Sequence, residues 1–205
     1  MGDGTVIEIE KITIRRGNQM VFKDYSESVS AIGATLLAGP NGSGKTTLVG
    51  ALAGSIPLTM GKILISGNDI SAIKATSFAK LRSVAPQRRF FSLAFSVQEI
   101  IDFCSLQNRS SDWPAIIDLL GLNELLAKKV TELSIGQQQR VSLGLALIQA
   151  ADFYLLDEPF SAQDSNFQKA ILEIIDMRAK EKGVLVASHN TDALRSHFSH
   201  EITIK

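Results

Sequence analysis

This chain is short of the residues that would place it outside the cell or across a bilayer. Among 205 residues Cys104 is the one cysteine, so no intramolecular disulfide can form and a reducing compartment is expected. Within VQEIIDFCSL, Cys104 itself reads as a small core residue. No apolar run approaches the ~20 residues that a membrane-spanning helix needs. The opening MGDGTVIEIE has neither the basic start nor the apolar stretch of a secretory signal. Met1-Gly2 begins like a myristoylation signal, but Val6 stands where Ser or Thr is wanted. Excess charge is missing too: 21 basic residues balance 21 acidic ones. A broad electrostatic footprint for nucleic acid is therefore not expected. A cytoplasmic location follows as the expectation, with any membrane association made through a partner. No internal repeat, low-complexity tract or long linker breaks the chain, so residues 1–205 are read as a single domain.

What is present is ordinary globular material, 45% hydrophobic and 20% charged, enough for a sizeable core. TVIEIEKITI (5–14) alternates apolar and polar residues, as a half-buried strand does. ATLLAG (34–39) is a short apolar run followed by glycines and then by KTTLVGALAG, a strand–loop–helix pattern. GKILISGNDI (61–70) reads as another strand closing on a turn. From about Arg88 to Ala150 the β signal fades. SVQEIIDFCSL, DWPAIIDLLGL and GQQQRVSLGLALIQAA all carry helical apolar spacing, and Pro114 suits a first helical turn. Then come the strand DFYLLDEP, a helix over about 166–182, the strand GVLVASH, a short helix and a closing strand, EITI. Strands alternating with helices predict an α/β fold with a mainly parallel sheet. In this reading a helical insert (88–150) interrupts a core formed by 1–87 and 151–205.

GPNGSGKT (Gly39, Pro40, Asn41, Gly42, Ser43, Gly44, Lys45, Thr46) matches the complete phosphate-loop pattern. The glycines let successive N–H groups point into one concavity that suits an anion. Lys45 adds a charge that can reach β- and γ-phosphates, and Thr46 offers a hydroxyl to Mg²⁺. FYLLDEP ends a buried strand in two acids, at the sheet edge where open α/β sheets bind ligands. Asp157 can hold the metal, leaving Glu158 to orient or deprotonate water. His189 ends GVLVASH, and Gln87 ends VAPQ, on what should be the same edge. Gln87 can reach either the metal or the water. LSIGQQQR (133–140) is a second helix start, with Ser134 and Gln137 spaced as a capping box. It offers N–H groups and a positive dipole end to a second anion.

Taken in order, Gly39–Thr46, Gln87, Leu133–Gln137, Asp157–Glu158, SAQD (161–164) and His189 make a set that resembles the nucleotide-binding domain of ATP-binding cassette (ABC) ATPases. The resemblance covers essentially the whole chain. It implies a P-loop NTPase fold with an N-terminal antiparallel β part, and ATP with Mg²⁺ as ligands. Thr47 joins the nucleotide-binding residues by the same resemblance. Thr46, Gln87 and Asp157 become the metal set, and Glu158, His189 and Gln87 the catalytic one. It also implies a head-to-tail dimer with a second copy or a homologous ATPase subunit. In that dimer Ser134, Gly136 and Gln137 cap the γ-phosphate held by the other chain, and Asp164 couples the two sites.

Two departures stand out. Ile135 occupies a position that is usually glycine. In IRRGNQMVF, Arg16 or Arg15 falls where an aromatic usually stacks on adenine; a guanidinium can also stack, and Phe22 is a lesser candidate. The function expected is the ATPase subunit of a transporter, docked on integral membrane permease subunits through the surroundings of Gln87 and RRFFSLAF (88–95). Phe90, Phe91 and Phe95 would supply an apolar contact there. The alternatives are a soluble cassette ATPase acting on nucleic acid or the ribosome, and a small-molecule kinase. The first lacks a tandem cassette or a long insert here; the second leaves LSIGQQQR unexplained.

Overall fold

The computed structural model describes residues 6–87, 89, 91–105, 108–161, 164–191 and 193–205. Two sheets organise them. The first is antiparallel, in the order β2-β1-β4-β5, from β1 (Val6–Arg16), β2 (Gln19–Ser30), β4 (Met60–Ile65) and β5 (Asn68–Asp69). The second is parallel throughout, in the order β6-β7-β8-β3-β9, from β3 (Gly33–Ala38), β6 (Arg82–Ala85), β7 (Phe153–Asp157), β8 (Gly183–Ser188) and β9 (His200–Thr203). Strands β7 and β8 are buried along their whole length. That is why they read as continuous apolar runs rather than alternating ones.

Helix α1 (Lys45–Leu52) leaves β3 through the glycine loop, and α2 (Ala75–Leu81) precedes β6. Between β6 and β7 lie α3 (Val97–Ser105), α4 (Trp113–Leu119) and α5 (Ile135–Leu147); α6 (Ser165–Ala179) joins β7 to β8. Pro114 sits in the first turn of α4, where its missing N–H costs no helical bond. Two apolar cores result. One packs α3–α6 against the parallel sheet; the other lies between that sheet, α1 and the antiparallel sheet. Arg178 of α6 staples the start of α4 to the first core through paired 2.8 Å bonds to Asp112, with a further bond to the Leu147 carbonyl.

The sequence-based expectations need several adjustments. Strand β2, which follows a turn at Gly17-Asn18 and pairs with β1, went unforeseen. Helix α2 went unforeseen. The helix expected over 166–182 stops at Ala179, and the short helix after His189 is a single 3-10 turn, Arg195–His197. Cys104 packs against the core only partly buried. Phe91 also packs against the core, whereas Phe95 stays exposed. Phe90, Arg88, residues 162–163 of SAQD and the Met1-Gly2 start lie outside the described residues.

Candidate functional site: a phosphate cradle at one sheet edge

The residues singled out for chemistry leave the carboxyl ends of four neighbouring strands. The glycine loop follows β3, Gln87 follows β6, Asp157 and Glu158 end β7, and His189 ends β8. Two glycines make the loop possible. A Cβ on Gly39 would lie 2.6 Å from the Ile204 carbonyl oxygen. Gly44 has φ +107° and lies so close to Val21 and the Phe22 ring that a Cβ would meet them at 2.9–3.0 Å. The first backbone bond of α1 runs from Leu48 N–H to the Gly44 carbonyl, at 2.8 Å. The N–H groups before it have no helical carbonyl to meet, so they are available to an anion.

Lys45 is almost fully buried. Its ammonium donates to the carbonyls of Gly39 at 2.8 Å and Pro40 at 3.0 Å, and it lies 3.7 Å from Glu158 Oε1. The other oxygen of Glu158, Oε2, is 2.9 Å from His189 Nδ1. Glu158 is also buried, with a left-handed φ of +52°. A non-glycine residue adopts that conformation only when its surroundings hold it there. Here its N–H donates to the Ala187 carbonyl at 2.9 Å, and its own carbonyl accepts from Ser161 N–H at 3.2 Å.

Asp157 sits beside it, buried, with Oδ1 lacking any hydrogen-bond partner among the described residues. Burial pushes its carboxyl above the usual carboxylate range. The Thr46 hydroxyl, Lys45 and the Gln87 backbone N–H pull against that shift, and Glu158 adds to it. A buried, unsatisfied carboxylate oxygen facing a threonine hydroxyl is the donor set of a hard cation. Ser43 Oγ is likewise buried and unpaired among the described residues.

A cavity of 390 Å³ opens over the loop, bordered by Arg16, Gln19, Asn41, Lys45, Gln87 and Glu158. It gathers Gly42, Gly44, Thr46 and Thr47 as well. Arg16 thus stands at its rim, while Phe22 is buried beneath Gly44 against Tyr25 and cannot stack on a ligand there. Gln19 and Val21 also line the cavity; both come from β2 and were not anticipated. Their spacing of two on one strand was the signal available. Two cavities of similar size, 420 and 430 Å³, border Asp152 at the amino-terminal start of β7 instead.

Ser134, Gly136 and Gln137 do not border the cradle. They begin α5, where Ser134 Oγ accepts from Gln137 N–H at 3.3 Å and Gln137 Oε1 accepts from Ser134 N–H at 3.1 Å. This is a reciprocal capping box. Ile135 beside them is 85% exposed. Asp164 caps α6, its Oδ1 accepting from Phe167 N–H at 2.9 Å.

Backbone N–H groups and a buried ammonium suit phosphate oxygens, and the hydroxyl and unsatisfied carboxylate beside them suit a cation that accompanies those phosphates. The fold and the cradle define the class as P-loop nucleotide-binding proteins. Within that class the chain belongs to the ABC transporter family, whose model matches residues 22–161. Hemin import ATP-binding protein HmuV of Rhizobium meliloti is 31% identical over 216 residues, covering 97% of this chain and 81% of that protein. Cytochrome c biogenesis ATP-binding export protein CcmA of Wolbachia pipientis is 29% identical, covering 88% of this chain and 87% of that one. Cobalamin import ATP-binding protein BtuD of Halobacterium salinarum is 28% identical over 97% of this chain, which spans only 52% of that relative's length. Among solved structures, an ATP binding subunit of an ABC transporter matches with a TM-score of 0.86 at 20% identity, over 97% of this chain and 85% of that one. At that identity the likeness speaks for the fold.

Proposed function

We propose that the chain is the ATP-hydrolysing subunit of an ABC transporter, acting at the inner face of the cell membrane through separate permease subunits. The observation that carries this is Glu158: a buried carboxylate held between Lys45 of the phosphate loop and His189 of the neighbouring strand. Among the described residues no helix is long and apolar enough to cross a membrane, which fits a subunit that reaches the membrane by docking. The relatives are named for both import and export, which fits a cargo chosen by the permease.

The chemistry follows from the geometry. Backbone N–H groups of 41–47 and the Lys45 ammonium bind the phosphates, Lys45 exchanging its two carbonyl partners for phosphate oxygens. The Asp157 carboxylate, the Thr46 hydroxyl and Gln87 would hold Mg²⁺, which would supply charge neutralisation for the bound phosphates. Glu158 accepts the proton of the attacking water at a carboxylate oxygen, while His189 Nδ1 fixes the carboxylate's orientation. Arg16 covers the base. Ser134, Gly136 and Gln137 of a second copy close over the γ-phosphate, and Asp164 links the two sites. A second helix start both offsets the phosphate charge and excludes water, which strengthens every remaining contact.

Phosphate release from Mg-ATP, with no phosphorylated product and with retention of a membrane permease on purification, is the expected outcome. A phosphorylated small molecule in place of free phosphate would make the chain a kinase instead.

A further inference from the structure

The phosphate contacts use only the first half of LSIGQQQR. The structure gives the second half a different task. Gln138 donates to the carbonyls of Val130 at 3.1 Å and Leu133 at 3.2 Å, securing the approach to α5. Gln139 donates to the Glu158 carbonyl at 3.4 Å. Arg140 reaches Asp164 Oδ2 at 2.5 Å, with its guanidinium 4.4 Å from the centre of the Phe167 ring. Asp164 therefore spends one oxygen on the start of α6 and the other on α5. Phe167 N–H and Arg140 together hold its carboxyl below the ordinary carboxylate range.

An ion pair this exposed contributes little stability. Its geometry is another matter. Helix α5 is gripped at the two places that matter for hydrolysis in its own chain: the left-handed backbone of Glu158 and the loop residue Asp164. A shift of α5 bears on both.

Resting on the functional reading above, we propose that Arg140, assisted by Gln139, is a positioning residue that transmits the placement of the signature helix to Glu158 of the same chain. Phosphate held by one copy draws in α5 of the other. The Arg140–Asp164 and Gln139–Glu158 ties then set the carboxylate that acts on the other copy's own nucleotide. Each site is thereby made to wait for its neighbour.

The test is steady-state phosphate release by the full chain, across a range of Mg-ATP concentrations, for Arg140→Ala, Asp164→Asn, their combination and Arg140→Lys. Asparagine still caps α6 but loses the charge that Arg140 holds. Each single change should lower kcat about tenfold or more, the scale of a misplaced catalytic group, with KM within about twofold. The double change should be no slower than the worse single one, because both break the same tie. Lysine keeps the charge and should restore most of kcat. Arg140→Ala turning over within about twofold of the parent would overturn the proposal, as would losses that multiply in the double variant. If the parent chain itself releases no phosphate, it is the functional reading that falls.

Discussion

Replacing Glu158 with glutamine separates binding from hydrolysis in a way the structure quantifies. Glutamine keeps the shape of the side chain and an oxygen able to accept from His189. It removes the charge that lies 3.7 Å from Lys45. At an effective dielectric of about 20, that pair attracts by about 4 kcal/mol before desolvation is subtracted. Without nucleotide, Glu158→Gln leaves the buried ammonium with only the Gly39 and Pro40 carbonyls, so the ligand-free protein should be less stable than the parent. Phosphate oxygens then satisfy Lys45 in the carboxylate's place, so Mg-ATP should raise the melting temperature more in the variant than in the parent. Turnover should fall by about 10² or more, or about 2.7 kcal/mol in the barrier, the scale of a lost general base. Thermal unfolding with and without Mg-ATP, beside phosphate release at saturating ATP, reads both effects. Parent-like turnover would refute the role of Glu158. Lost turnover together with lost nucleotide binding would refute the separation.

Three other changes test the rest of the site. Ser134→Arg removes a helix cap, at about 1 kcal/mol of stability. It should leave nucleotide affinity of the single chain intact, measured by calorimetry, while abolishing ATP-driven pairing; a collapse of that affinity would put Ser134 in its own chain's site. Ile135→Gly relieves an exposed side chain at the proposed contact. It should tighten the Mg-ATP dimer by about 1 kcal/mol, roughly fivefold, in sedimentation; a weaker dimer would mean that Ile135 contributes contact. Asp157→Asn removes a carboxylate whose pKa burial has raised. The folded chain holds that proton more tightly than the unfolded one, so ionising Asp157 costs stability, progressively as pH rises through the raised pKa and fully above it. Urea midpoints without ligand should favour Asn near neutral pH and converge below the ordinary carboxylate value of about 4, while Mg-ATP should stabilise the variant less than the parent. An equal midpoint at neutral pH would contradict the burial cost.

How much of this was legible in the sequence depended on where the chemistry is local. The glycine loop, the acids closing β7 and the capping box each depend on residues a few positions apart, so their patterns survive in one dimension. Strand β2 did not, because Phe22 and Val29 are its only fully buried residues and most of the rest face solvent. With Asp24 left-handed in mid-strand and the register shifting against β1, no clean alternation was left to read. Helix α2 buries Phe78 alone and has no side-chain cap, so it lacks both a stripe and a start signal. Phe22 was a reasonable partner for adenine by position, but its burial under Gly44 depends on how β2 crosses the loop. The Arg140–Asp164 tie spans 24 residues and belongs to tertiary packing, beyond any local pattern.

The central claim is that each reaction centre is completed by another chain's signature helix. It is met most directly by weighing Glu158→Gln in solution with saturating Mg-ATP, beside the same variant carrying Ser134→Arg. Doubling of mass in the first and a single chain in the second is the predicted result. A Glu158→Gln chain that binds Mg-ATP and still sediments singly, with or without its permease, would contradict the account.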